Sequence, residues 1–276
     1  NMRYKTILVH VDDTPQAATT IALAARLALA SDAHLLGVAT TGVSRFFYSD
    51  AGADLARTVL APYMDERLRA AEALLERFET LAARAGVRSF ERRLIDDETG
   101  AALALATRYA DLVVLGQPDP AQPMPPGGAD LPAYTLLAGA HPVLVVPYIQ
   151  ADAGAGQRIL LAWNGSTQAA RAASAALPLL RTAEAVVVAV VGTPDDPAQA
   201  DDALLAWLNR HGVAAELVAD STTLDVGDCL LSLAADRASD LLVMGGYGHA
   251  RMRELLLGGA TRTILQTMTI PVLMAH

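Results

Sequence analysis

The residues best suited to chemistry in this sequence are glycines. Gly245-Gly246-Tyr247-Gly248 is followed by nine residues, His249 to Leu257, and then by Gly258-Gly259-Ala260-Thr261. The first cluster comes directly after an apolar run ending at Met244, and the second opens a helical stretch. Glycine lets a backbone turn sharply and brings amide N–H groups forward with no Cβ in the way. A helix start adds unpaired N–H groups and the positive end of the helix dipole, which together favour a phosphate. Thr261 supplies a hydroxyl or amide donor in the same place. Arg251 and Arg253, between the two clusters, can offset part of a polyphosphate charge, and His249 is a further candidate contact. A second set, Asn164-Gly165-Ser166, follows the apolar run that ends near Trp163. The chemistry these residues suit is anion binding.

Other chemistries find less. No Walker A sequence, no Gly-x-Gly-x-x-Gly fingerprint and no Gly-x-Ser-x-Gly elbow is present. His, Asp, Glu and Cys show no metal-ligand spacing, although a magnesium ion carried in with a triphosphate is compatible with the residues. Cys229 follows Asp228 and precedes Leu230-Leu231, with no His or Lys beside it in sequence to lower its pKa, so it reads as an inert thiol. His10 and His34 lie in or beside strands and read as packing or surface residues. For hydrolysis, a carboxylate must position water near the phosphates. Only Glu254 is close in sequence, so slow turnover is the weaker expectation.

These residues need elements to position them, and the elements come twice. Thr6 to Ala17 lines up with Arg158 to Ala169, Asp111 to Gly116 with Asp240 to Gly245, and Pro142 to Val145 with Pro271 to Met274. In the first copy strands are predicted at about 4–11, 33–40, 87–94, 111–116 and 142–147. Its helices are predicted at about 15–30, 54–85, 98–109 and 131–139. In the second, strands are predicted at about 158–163, 184–191, 213–219, 240–245 and 270–275, with helices at about 167–181, 198–211, 226–237 and 259–267. Runs such as Val186 to Val191 are apolar on both faces, as buried parallel strands are. The expected fold class is therefore α/β: two tandem, doubly wound parallel sheets of five strands, with right-handed crossovers. Domains are expected at 1–149 and 157–276, joined by the Gly/Ala-rich stretch from Ile149 to Gly156. In such sheets ligands bind beyond the carboxyl ends of the strands, where strand order reverses.

Bulk properties narrow the partners. The chain has 276 residues, enough for two average domains, and 53% of them are hydrophobic, enough for two cores. A formal charge of −9 disfavours nucleic acid and anionic membranes, which are gripped by Lys and Arg. No apolar stretch approaches the roughly 20 residues needed to span a bilayer. Met2-Arg3-Tyr4-Lys5 runs straight into a strand pattern, and a single cysteine forms no internal disulfide, so the expected location is the cytoplasm. The predicted helix over 54–85 is long and rich in alternating charge, which makes it a candidate partner surface.

The Gly-two-Gly-nine-Gly spacing from Gly245 to Arg262, with Asn164-Gly165-Ser166 after the first strand, resembles the ATP-binding signature of the universal stress protein family. The repeat extends the resemblance over nearly the whole chain, which looks like a tandem-type member. The resemblance implies an adenine-nucleotide α-hydrolase-like sheet of order 3-2-1-4-5 with ATP across strands one and four. It implies an acid near the ribose, at the position of Asn164, and backbone beside the adenine, at Val190 or Val191. It also implies phosphate contacts from Met244, Gly245, Gly248, Gly258, Gly259, Ala260 and Thr261. Two departures stand out: Asn164 replaces the family's Asp, and Gly259 stands where Ser or Thr usually follows the last motif glycine. In the first copy Asp119, Ala129 and Asp130 take the places of Gly248, Gly258 and Gly259, with prolines between, so only the second copy is expected to hold ATP. The expected function is adenine-nucleotide binding in a stress-related regulatory protein. A scaffold with both pockets decayed and a slow ATP hydrolase are the alternatives. The family resemblance further implies that fifth strands meet edge to edge, here the strand near Val143 with that near Val272, as an intramolecular pseudo-dimer. Association of two chains stays open.

Overall fold

The computed structural model describes residues 3–44, 61–122, 131–150, 152, 154–192, 201–223, 225–247 and 259–276. The chain forms two compact units, Arg3–His141 and Pro142–His276.

The first unit holds strands β1 (Thr6–His10), β2 (His34–Thr40), β3 (Phe90–Ile95) and β4 (Leu112–Gly116). Its helices are α1 (Ala17–Ser31), α2 (Ala61–Arg84), α3 (Thr99–Ala106) and α4 (Leu131–Ala138). The strands run parallel in the order β3-β2-β1-β4. Ile7, Leu8 and Val9 of β1 and Leu112, Val113 and Val114 of β4 are fully buried, which explains why these strands read as apolar on both faces. Helix α2 lays Met64, Ala71, Leu75, Phe78 and Ala82 inward. Phe78 sits so close over β2 that a Cβ on Gly37 would lie 2.5 Å from its ring. The predicted residues 54–60 of this helix lie outside the described residues.

The second unit holds β6 (Arg158–Ala162), β7 (Ala185–Gly192), β8 (Glu216–Ser221), β9 (Leu241–Gly245) and β10 (Val272–Ala275). Its helices are α5 (Thr167–Leu180), α6 (Asp202–Arg210), α7 (Val226–Asp236) and α8 (Gly259–Thr267). These strands are parallel in the order β8-β7-β6-β9-β10, which is the expected 3-2-1-4-5 order. Strand β5 (Val143–Val146) belongs to the same compact unit and adds to β10 antiparallel, with Leu144 opposite Leu273 and Val143 opposite Met274. All four residues of each of these two strands are buried.

Two strands begin later than their hydrophobic runs suggest, for one physical reason. Val87 and Val213 read as strand starts but are the buried ends of helix caps. Val87 N–H donates to Ala82 O at 3.1 Å and Gly86 N–H to Ala83 O at 3.0 Å, with Gly86 left-handed at φ +83°. Val213 repeats this with Leu208 O at 3.0 Å, and Gly212 with Asn209 O at 2.9 Å. This is the six-to-one and five-to-two bonding of a Schellman cap, whose apolar residue beyond the glycine packs back on the helix. Strand pairing then starts at Phe90 and Glu216.

Candidate functional site

The carboxyl end of the second sheet is built by three loops. After β6, Asn164 Oδ1 accepts from Ser166 N–H at 3.2 Å, Gly165 is left-handed at φ +71°, and Ser166 Oγ accepts from Ala169 N–H at 3.1 Å. An Asx turn thus delivers the chain into the N-cap of α5. Oδ1 accepts within the turn, and the NH2 of Asn164 adds a donor to this exposed residue. Asn164 and Gly165 are exposed and Ser166 is half-buried.

Strand β7 finishes with Val190, 7% exposed, the half-buried Val191 and Gly192. Trp163 ties this region to the first loop. Its N–H donates to Ala189 O at 2.8 Å and its Nε1–H to Asp201 Oδ2 at 2.8 Å. Asp201 in turn caps α6, its Oδ1 accepting from Leu204 N–H at 3.1 Å.

After β9 the strand presses on the start of α5. A Cβ on Gly245 would lie 2.5 Å from Ala169 N and 2.7 Å from Gln168 C, backbone atoms that cannot step aside, so only glycine fits. The next two amides are occupied: Gly246 N–H donates to Ala275 O at 2.9 Å and Tyr247 N–H to Thr261 Oγ1 at 3.3 Å. These first-cluster amides therefore serve the sheet and the helix start. Thr261, 5% exposed, holds the loop from inside. Tyr247 is left-handed at φ +55°, a strained conformation for a bulky side chain and one that clusters at functional segments. Met244 is 5% exposed below the loop.

Helix α8 begins at the exposed Gly259 and the half-buried Ala260. The first-turn amides of a helix have no intrahelical acceptor. Gly248, His249, Arg251 and Gly258, with Arg253 and Glu254, lie outside the described residues. So the structure brings Asn164, Gly165, Ser166, Val190, Val191, Met244, Gly245, Gly259, Ala260 and Thr261 to one end of one sheet.

The first sheet ends differently. Asp12 Oδ1 accepts from Thr14 N–H at 3.1 Å and Thr14 Oγ1–H at 2.6 Å, the counterpart of the Asn164 turn. Its Oδ2 lies 3.8 Å from Nδ1 of His10, which is 8% exposed. Burial pushes the His10 imidazole below its ordinary pKa, while Asp12 and Asp13 pull it back up. Gly116 is loosely packed: a Cβ there would meet Thr20 Oγ1 at 3.6 Å and Asp12 Oδ2 at 3.8 Å. At the end of β2, Arg67 Nε–H donates to Thr41 O at 2.8 Å, and Thr41 Oγ1–H donates to Asp96 Oδ1 at 2.8 Å. Asp119 is described but Ala129 and Asp130 are not. In the second copy, burial and Asp220 push the half-buried Cys229 thiol up, which leaves little thiolate.

Trp163, Asp201 and Asp225, which caps α7, were not singled out by sequence reasoning. Asp201 and Asp225 do carry a readable signal, an Asp directly before an apolar helical run.

Among the described residues no helix is long and apolar enough to cross a membrane. A curated relative, Universal stress protein Slr1230 of Synechocystis sp., is 41% identical over 46 residues, 17% of this chain and only 16% of that protein's length. A universal stress protein from Archaeoglobus fulgidus shares the fold over 97% of both chains, with a TM-score of 0.72 at 14% identity. A universal stress protein solved in complex with cAMP covers 52% of this chain and 97% of its own, at 23% identity and a TM-score of 0.40. The model of the Universal stress protein family matches residues 3–121 and again 156–276. With both copies matched separately, the chain belongs to the universal stress protein family as a tandem member.

Proposed function

We propose that this chain is a stress-related regulatory protein that reversibly binds an adenine nucleotide, ATP with or without Mg2+, in its C-terminal copy. The observation that carries the reading is the convergence of the Asn164 turn, the strained Tyr247 loop and the start of α8, joined by the bond from Tyr247 N–H to Thr261 Oγ1. The helix-start amides of α8 suit a phosphate, and the NH2 of the exposed Asn164 suits an acceptor on the sugar or base. Val190 and Val191 offer backbone and an apolar flank at the end of β7. Gly259, with no side chain, leaves the grip to main-chain donors. That a matched family member was solved with cAMP is a property of that protein.

Among the described residues the first copy shows no such combination. Asp12 carries a carboxylate where the second copy has the Asn164 amide, Asp119 replaces the loop glycine, and Pro123, Pro125 and Pro126 withhold amide donors. The account predicts one nucleotide per chain. The test is to denature purified protein, chromatograph the released small molecules, and repeat a thermal shift with magnesium-ATP. Released adenine nucleotide, or a raised melting temperature with added nucleotide, supports the reading. The absence of both contradicts it.

A further inference from the structure

Helix α8 opens beside the capping carboxylate of another helix. Asp225 is half-buried, and its Oδ1 accepts from Gly227 N–H at 2.7 Å and from Asp228 N–H at 3.3 Å. Its other oxygen is turned toward α8: a Cβ on Gly259 would lie 3.3 Å from Oδ2. The two helix starts are packed tightly. A Cβ on Gly227 would meet Ala260 O at 2.9 Å and Thr263 Cβ at 3.0 Å. Asp225 therefore cannot swing away without giving up its cap, and its charge stays at the mouth of the amides proposed to take phosphate. Asp228, exposed in the first turn of α7, adds a second negative charge nearby.

From this geometry we infer that Asp225 selects the charge state of the ligand, so that the site takes a nucleoside polyphosphate as its divalent-cation complex and disfavours the metal-free polyanion. The inference rests on the proposed phosphate site at α8. A metal-free triphosphate there meets a fixed like charge at short range in a half-buried setting, where repulsion is only partly screened. A divalent cation on the phosphate oxygens reverses the sign, because a carboxylate oxygen is a natural ligand or close neighbour for Mg2+. The absence of a side chain on Gly259 fits this arrangement. A serine there would place its Cβ against the carboxylate and offer it a hydroxyl, drawing Oδ2 away from a cation.

The test measures ATP affinity of the full-length protein in EDTA and in excess Mg2+, for wild type and Asp225→Asn. Asparagine keeps a capping oxygen and removes the charge. The expected result is that the preference for ATP with Mg2+ over ATP alone is roughly tenfold larger in wild type than in the variant, the change that ~1.4 kcal/mol makes in an affinity. Most of that difference should come from tighter metal-free binding by Asp225→Asn. If circular dichroism shows that this variant is misfolded, Asp225→Ser, also a capping residue, takes its place. Equal preferences in the two proteins, both binding nucleotide, would overturn the inference and leave the site standing. No binding by either protein, with or without Mg2+, would overturn the site and the inference together.

Discussion

The two copies start from one plan and end their sheets in opposite ways. Both turn out of the first strand through an Asx side chain, Asp12 bonded to Thr14 and Asn164 bonded to Ser166. In the first copy the remaining oxygen is a charged acceptor beside buried His10, and Gly116 leaves room next to it. In the second the side chain at that position is a neutral amide, Gly245 is pressed against α5, and Tyr247 is strained into a loop that Thr261 fastens to α8. The lesson is that a repeat can keep the turn that starts each unit while changing the charge and tightness of the edge where a ligand would sit. Fold and site are separable properties of the same strands.

The sharpest way to break the comparison is to give both fourth-strand glycines a methyl group. Gly245→Ala drives a Cβ into backbone of α5 and is expected to destabilise the second unit by about 1–3 kcal/mol, the usual cost of overpacking. Gly116→Ala places its Cβ at ordinary contact distance and should change stability far less. Both tryptophans, Trp163 and Trp207, lie in the second copy, so their fluorescence in denaturant follows that unit while circular dichroism follows the whole chain. If the two substitutions cost the same, the asymmetry in packing is wrong.

A smaller effect is expected at the helix starts. Ser166→Ala removes the N-cap bond to Ala169 and should cost ~1 kcal/mol. Gln16, at the N-cap of α1, makes no side-chain capping bond, so Gln16→Ala should cost at most a few tenths. The same denaturant curves read both.

The smallest effect concerns pH. Burial holds the folded-state pKa of His10 below its unfolded value of about 6.5. The unfolded chain therefore binds the extra proton first, and stability contributed by neutral His10 is lost as pH falls below that value. Acidification from pH 7.5 to 5.5 should lower stability measured by circular dichroism, with tryptophan fluorescence of the second copy less affected. His10→Gln should flatten that dependence. An unchanged pH profile in the variant would remove His10 from the explanation.

The fold was legible because the repeat and the two-faced apolar runs carry it. The second copy shows the complete five-strand order, and β3 and β8 departed only where Val87 and Val213 close a helix instead of opening a strand. Where the candidate residues gather was legible in outline, from where glycines fall relative to strand and helix. What the residues alone did not reveal is which amides are already taken. Gly246 and Tyr247 look like donors to a ligand but bond to Ala275 and Thr261, because pairing to β10 and to the α8 side chain is set by tertiary contact. The bond from Trp163 to Asp201 and the approach of Asp225 to Gly259 join residues 38 and 34 positions apart, beyond the reach of local spacing.

The central claim is that main-chain amides at the start of α8 hold a nucleotide in the second copy alone. Calorimetric titration of the intact protein with magnesium-ATP, for wild type and Gly259→Asp, tests it most directly, because aspartate is the residue the first copy carries at the matching position, 130. One site per chain in wild type and none in the variant is the predicted result. Two sites per chain, or unchanged affinity in Gly259→Asp, would contradict it.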